Sequence, residues 1–187
     1  MARAGLSADR LTQAAADLAD EVGFENVTVS ALARHFGVKD ASLYSHIRNA
    51  QDLRTRMAVL ALAELSDRSA EAIAGRSGKD ALVAFASAHR GYAHEHPGRY
   101  AAVQLALDPD VAADSAVRHT ELTRAALRGY GMWDPELTDA VRLLHSTLHG
   151  FVSLERSGAF HSHPRGVEAS WLRALDALDS VLRAWPA

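Results

Sequence analysis

Apolar residues recur along this chain at helical spacing, and glycine and proline interrupt the pattern at intervals. Leu11, Ala14, Ala15, Leu18, Ala19 and Val22 mark one stripe of a helix over residues 8–23, with Ser7 placed to cap it and Gly23 to end it. Phe24 and Val27 follow as residues able to close a small core. Val29, Leu32, Ala33 and Phe36 mark a short second helix that Thr28 or Ser30 can cap, because a hydroxyl there accepts a hydrogen bond from an otherwise unpaired backbone N–H. Gly37 stands where a helix end calls for left-handed backbone. Val38 is an apolar plug for the turn Gly37-Val38-Lys39. Asp40 can cap a third helix that runs to about Ile47, with Leu43 and Ile47 four apart and facing inward.

The same periodicity continues. Leu53, Met57, Leu60, Ala61 and Leu65 predict a long helix from Ala50 to about Ala74, with Asp52 in its first turn, where a carboxylate suits the helix dipole. A loop at Gly75-Arg76-Ser77-Gly78 precedes a helix over 79–95, which carries Leu82, Val83, Phe85, Ala86, His89 and Tyr92 on and beside its apolar face. His96-Pro97-Gly98 breaks it, and a short helix from Arg99 to Leu107 ends at Asp108-Pro109. Helices over 110–129 and 135–157 follow, then a loop with His161, His163 and Pro164. A last helix, roughly 165–184, has Val167, Trp171, Leu175, Leu178 and Leu182 on one stripe. Gly150 lies inside a predicted helix at a cost of about 1 kcal/mol relative to alanine, which implies a neighbouring helix or a ligand in close approach. The expectation is an all-α chain of about nine helices. Residues 1–50 form a three-helix helix-turn-helix domain, and residues 51–187 form a helical ligand-binding and dimerisation domain.

The turn between the second and third helices carries the chemistry. Lys39, Ser42, Tyr44 and His46 are left pointing outward, and these cationic and hydrogen-bonding groups suit phosphates and base edges. A third helix of this size fits a DNA major groove. The spacing by itself also fits an ordinary helical hairpin with a glycine turn. The preceding amphipathic helix favours the DNA-binding reading, since three such helices in about fifty residues make a minimal module.

Composition sharpens this picture. Alanine and leucine dominate the 187 residues and aromatics are only 6%, which favours helices. The net charge of −3 argues superficially against a nucleic-acid partner, but its distribution does not. Residues 34–56 hold five basic side chains against Asp40 and Asp52, while residues 57–187 carry the whole deficit. A local basic patch on a neutral or acidic body fits a DNA footprint, and it also fits ordinary scatter on a solvated surface. Without cysteine there is no disulfide and no thiol catalyst. The absence of a long apolar run predicts no membrane span and a cytoplasmic location.

Gly23-Phe24, Thr28-Val29, Leu32-Ala33, Gly37-Val38, Leu43-Tyr44, His46 and Asp52-Leu53 together resemble the N-terminal domain of the TetR family of transcriptional regulators, over residues 8 to about 56. The resemblance implies an all-helical homodimer with an N-terminal helix-turn-helix and a C-terminal domain that senses a small-molecule effector. Leu148-His149-Gly150 with Leu154-Glu155 is similar to the signature of a subgroup with a Trp-His-Gly-like C-terminal motif, with Leu148 where tryptophan would stand. By this resemblance Thr28, Tyr44 and His46 are phosphate contacts, and Lys39, Ala41 and Ser42 lie near base edges. Leu43 packs. Two positions depart from the family: Ile47 replaces a common phenylalanine, and Ala50 replaces a lysine that often contacts phosphate. Arg48 and Arg54 are its possible substitutes. The candidate DNA interface is thus Thr28, Val29, Lys39, Ala41, Ser42, Tyr44, His46 and Arg48, on the double-stranded operator. Paired through its last two long helices, a two-fold dimer would hold two recognition helices roughly 34 Å apart on a palindromic site.

Helix faces suggest Phe85, His89, Tyr92, Gln104, Trp133, His145 and His149 as lining for an effector of unknown identity; the apolar members equally fit plain core. The ten histidines invite a metal reading. His145 and His149 are four apart on one face, and His89, His94 and His96 cluster near a helix end. Zinc needs three or four convergent ligands, and neither a His-Glu-x-x-His nor a cysteine is present. The expectation is no metal and no cofactor, with His145 and His149 lining a mixed-polarity cavity or paired in the core. No nucleophile elbow, phosphate loop or dinucleotide fingerprint points to catalysis, so the chain is not expected to be an enzyme. The alternatives are a helical ligand-binding or scaffold protein that has lost DNA binding, and a histidine-based metal-dependent protein.

Overall fold

The computed structural model describes residues 6–107 and 109–185, without the side chains of 109–113. The short helix predicted to run to Leu107 ends instead at Val103, with Gln104 at its C-cap, while Asp108 falls outside the described residues. Nine α-helices are described: α1 (Ala8–Val22), α2 (Val29–Phe36), α3 (Asp40–Leu43), α4 (Ala50–Ile73), α5 (Gly78–Glu95), α6 (Pro97–Val103), α7 (Pro109–Leu127), α8 (Glu136–Arg156) and α9 (Val167–Arg183). Single 3-10 turns occupy Phe24–Asn26 and Arg128–Tyr130, and no strand occurs among the described residues. The all-α class is the one the periodicity predicts.

The chain divides into two compact units, one of residues 1–64 and 95–116, the other of 65–94 and 117–187. In the first, Leu11, Ala15 and Ala19 of α1, Phe24, Val27, Leu32 and Ala33, Leu43, Ile47, and Leu53, Met57 and Ala61 of α4 form one buried core with Ala102 of α6. Ser7 accepts the Arg10 N–H at 3.2 Å and starts α1. Of the two candidate caps for α2, Thr28 does the work: its Oγ1 accepts the Ala31 N–H at 3.1 Å. Gly37 ends α2 at φ +64°, and the Val38 and Gly37 N–H groups return to the Ala33 and Arg34 carbonyls at 3.0 and 3.1 Å. This Schellman arrangement satisfies carbonyls that the helix end would otherwise orphan.

Helix α3 departs from expectation twice. Asp40 does not cap it; the Asp40 carboxylate accepts the Ser30 hydroxyl instead, and Lys39 occupies the cap position without a side-chain bond. Regular α geometry ends at Leu43 rather than at Ile47. The Leu43 carbonyl takes both the His46 and Ile47 N–H groups, at 2.9 and 3.1 Å, so the last turn tightens. Ile47 still reaches the core.

Helix α6 begins at Pro97, two residues before the predicted start, because proline at the first helical position loses only an N–H that has no intrahelical partner. It docks on α1 at Gly98, where a Cβ atom would lie 2.0 Å from the Ala19 carbonyl oxygen. Asp20 of α1 serves as the missing cap. Its Oδ1 accepts the Gly98 and Arg99 N–H groups, both at 2.9 Å, and its Oδ2 takes Arg99 Nη1 at 2.8 Å and lies 3.0 Å from His96 Nδ1. Arg99 is buried and also meets Asp17, with Glu64 Oε2 at 3.5 Å from its Nε.

In the second unit Leu82, Phe85 and Ala86 of α5 pack with Leu127, with Leu144 and Leu148 of α8, and with Trp171, Leu175 and Leu178 of α9. Arg90 ties these helices. Its Nε and Nη2 donate to the Glu155 carboxylate at 2.9 and 2.7 Å, and its Nη1 donates to Glu168 at 2.5 Å, while the guanidinium lies 5.1 Å from the Trp171 ring centre. Hydrogen bonding from Arg90 holds the Glu155 carboxyl below the usual carboxylate range, despite burial. No other helix of this chain accounts for Gly150: beyond its own helix backbone and chain neighbours, no described atom lies within 4 Å of where its Cβ would be.

Candidate nucleic-acid interface and effector site

Helices α2 and α3, joined at Gly37, present one polar face. Thr28, Lys39, Ala41, Ser42, Tyr44 and Arg48 are exposed, Tyr44 by 53% although it is a large aromatic side chain. An exposed phenol next to Lys39 and Ser42 offers hydrogen-bond donors to phosphate, at no cost to the core. His46 is half-buried. Val29 is a correction: its side chain is buried with Leu32 and Ala33, because it opens the apolar stripe of α2.

Among the described residues no carboxylate pairs with the exposed Lys39, so its charge faces solvent. The nearby arginines differ. Arg54 donates to Glu25 at 2.6 Å and lies over the Phe24 ring, and Arg56 donates to Asp52 at 3.1 Å. Arg54 is therefore committed to packing and poorly suited to replace the lysine absent at Ala50. Arg48, whose side chain is 85% exposed, keeps only a 4.0 Å approach to Asp52. Burial disfavours the charged form of Asp52, but the Arg48 N–H and the Arg56 guanidinium outweigh it and keep its carboxyl below the ordinary range.

The second unit brings together some effector candidates and separates others. Phe85, His89 and Tyr92 of α5 are buried, and His145 of α8 is half-buried near them. The ring centres of Phe85 and His89 are 4.2 Å apart, and those of His89 and His145 6.4 Å. Gln104 is exposed and belongs to the first unit; Trp133 is 81% exposed and His149 is exposed. A 100° step per residue turns His149 to a different part of α8 from Leu144 and Leu148, which are buried.

Sequence reasoning missed the residue that completes this cluster, His119 of α7. Its ring centre lies 5.3 Å from that of His89 and 5.4 Å from that of His145. Its only local signal is a place on the α7 stripe that continues through Leu122, Thr123 and Ala126. Burial, followed by repulsion from His119, pushes the His89 imidazole down to about 3. Burial and His145 push His119 down to about 4, and burial lowers His145. All three are neutral at pH 7.

A pH dependence follows. Unfolding releases these imidazoles to an ordinary value near 6.5, so below that pH the unfolded chain binds more protons than the folded one. Stability therefore falls with acidification through the window from about 6.5 to 4.5. His89 and His119 each contribute a loss of about 2 kcal/mol over that window, so with His145 the three together are expected to lose several kcal/mol, read from urea unfolding at the two pH values, and the loss is expected to shrink in His119→Asn. A flat profile in that window would contradict the burial argument.

Comparison with known proteins decides the family. Residues 11–57 match the family described as bacterial regulatory proteins, tetR family, and residues 82–178 match the tetracyclin repressor-like C-terminal domain. The HTH-type transcriptional regulator Rv0681 of Mycobacterium tuberculosis is 34% identical over 159 residues, which span 83% of this chain and 72% of that protein. The chain belongs to the TetR family of transcriptional regulators. A second relative, the HTH-type transcriptional regulator YobS of Bacillus subtilis, is 32% identical over 161 residues, 84% of this chain and 83% of that one. The crystal structure of a TetR variant from Acinetobacter baumannii AYE in complex with minocycline superposes with a TM-score of 0.74 at 21% identity, covering 98% of this chain and 100% of that chain. As a TetR-family member the chain is a DNA-binding transcriptional regulator and not an enzyme. No helix among the described residues is long and apolar enough to cross a membrane.

Proposed function

We propose that this TetR-family regulator is a ligand-released repressor that acts in the cytoplasm as a homodimer on a palindromic operator. The observation that carries the reading is the exposed face of Lys39, Ala41, Ser42 and Tyr44 on α3, with Lys39 unpaired among the described residues. Thr28, His46 and Arg48 flank that face and serve as phosphate contacts in this reading, while Val29 supports it from the core. Residues 1–50 contact DNA, and 51–187 sense the effector and dimerise. Phe85, His89, Tyr92 and His145 are the candidate effector contacts; the minocycline carried by the A. baumannii structure makes a small organic molecule the reference class.

Repression and release are two faces of one coupling. An effector that binds better to a dimer with mis-spaced recognition helices weakens operator binding by the same factor. The test is a titration of labelled DNA from just upstream of the protein's own gene, at two salt concentrations, against unrelated competitor. Tight, salt-dependent binding that survives competitor is expected; binding no stronger than to the competitor, there and in a genome-wide pull-down, would remove the reading.

Dimerisation is supported by apolar side chains left in solvent on the last two helices. Leu154 of α8 is 48% exposed, and Leu172 and Val181 of α9 are 52% and 47% exposed. Gly150 shares a helix face with Leu154, four residues on, and its open side leaves room for a second copy. The double substitution Leu154→Glu with Leu172→Glu is expected to give a monomer in sedimentation experiments and to weaken operator binding by at least about tenfold, since one helix-turn-helix must then act alone. An unchanged dimer would place the interface elsewhere.

A further inference from the structure

We propose that His89, His119 and His145 form a binding site for one divalent first-row transition ion, with zinc(II) as the reference occupant and a fourth coordination position left open. The three histidines come from α5, α7 and α8, and one ring nitrogen of each lies within 4.8 Å of a ring nitrogen of both others. Zinc held at about 2.0–2.1 Å by three imidazoles requires nitrogens about 3.3 Å apart. Binding therefore draws the rings together by no more than about 1.5 Å, within the reach of small side-chain rotations.

The hydrogen bonds assign the tautomers. His89 Nδ1 lies 3.0 Å from the Phe85 carbonyl oxygen, an acceptor only, so Nδ1 carries the proton and donates it. Its Nε2 then bears a lone pair, and that buried Nε2 has no hydrogen-bond partner. The Thr123 hydroxyl donates to the His119 carbonyl at 2.9 Å, so its oxygen accepts from His145 Nε2 at 3.1 Å and leaves His145 Nδ1 bare. His119 Nδ1 lies 3.4 Å from the Ser66 Oγ, a group able to accept its proton and leave the lone pair on Nε2. His89 and His145 thus have their N–H groups held by outer groups, and Ser66 can hold that of His119, the arrangement that orients ligating histidines in metal sites.

Three acceptors brought together need donors or a cation. Of the three lone pairs, that of His89 Nε2 is buried with no partner, and an unsatisfied buried acceptor costs about 1–3 kcal/mol. Protonating one ring is disfavoured by burial and by its neighbours, in line with the lowered values of all three. A single divalent ion satisfies every lone pair and uses the neutral form already present. Imidazole ligands favour zinc, copper, nickel or cobalt over magnesium or calcium. No carboxylate joins the cluster among the described residues, so the bound ion keeps its double positive charge and the fourth position favours an anionic oxygen, from hydroxide or from an effector.

The inference rests on the reading of this part of the chain as the effector site only for its regulatory consequence. The test strips the full-length protein with a chelator and titrates it with zinc(II) by calorimetry and with cobalt(II) by visible absorption. One ion per chain and the intense bands of four-coordinate cobalt are expected. His119→Asn and His145→Asn are each expected to weaken uptake at least about 100-fold, and Thr123→Val about tenfold through the outer hydrogen bond. His163→Asn, in an exposed loop, is expected to leave it unchanged. Should the histidine variants lose helical circular dichroism, the cobalt spectrum of the unaltered protein and the Thr123→Val titration still decide. No stoichiometric uptake, or uptake undiminished in folded His119→Asn and His145→Asn, would overturn the site. Operator binding by the metal-free protein is measured separately, so failure of the metal site and failure of the repressor reading are distinct results.

Discussion

Replacing Asp20 with alanine is expected to destabilise the first unit by about 3 kcal/mol, a large share of the 5–15 kcal/mol that holds a typical domain folded. The carboxylate does two jobs at once. It accepts the Gly98 and Arg99 N–H groups that open α6, and it pairs with the Arg99 guanidinium, whose side chain is only 7% exposed. Without it, a buried cation keeps Asp17, the longer approach to Glu64 and the His96 Nδ1 contact at 2.7 Å, and two backbone donors lose their partner. Asp20→Asn separates the two roles. Its amide oxygen can still accept the backbone donors while the charge is gone, so about half of the loss is expected. Gly98→Ala attacks the same junction sterically, since its Cβ has the Ala19 carbonyl oxygen at 2.0 Å and the Asp20 nitrogen at 2.6 Å, both backbone atoms that cannot rotate away. Urea unfolding of the full chain reads all three. An Asp20→Ala protein within about 1 kcal/mol of the unaltered one would show that the Arg99 network is dispensable.

The second large effect falls on DNA. Lys39→Ala is expected to weaken operator and nonspecific binding alike by about tenfold, and to flatten the dependence of log affinity on log salt by about one per subunit, because one phosphate contact and its released counterion are lost. Tyr44→Phe removes a hydroxyl and no charge, so it is expected to lower affinity without changing that slope. Arg54→Ala is the informative contrast. Arg54 is bound to Glu25 and stacked over Phe24, so its loss is expected to appear in stability and to leave the salt slope intact. Gel-shift titrations at several salt concentrations distinguish these cases. Unchanged slope and affinity in Lys39→Ala would remove α3 from the interface.

These expectations draw on two kinds of information. The helix-turn-helix was legible in the chain because its determinants are local. Thr28 caps the residues that follow it, Gly37 supplies a left-handed turn where α2 ends, and Leu32, Leu43 and Ile47 recur at the spacing that buries them. The caps were less legible. Ser30 and Asp40 satisfy each other across ten residues, so the carboxylate expected to cap α3 is taken, and the tightened last turn ends the regular helix at Leu43. Gly98 illustrates the same limit from another side: beside Pro97 it reads as a helix breaker, yet it sits inside α6 because α1 passes too close for any side chain.

The sequence by itself determined the helical class, the position of the helix-turn-helix and the polar face it exposes, since periodicity, caps and turn residues act over a few positions of chain. Only the tertiary structure decided that Asp20 would cap a helix nearly eighty residues away, that Arg54 would be held by Glu25, and that His89, His119 and His145 would meet while His149, Gln104 and Trp133 would not join them. The three histidines lie on separate helices, and an amphipathic pattern states which face of a helix is buried without stating which other helix will cover it.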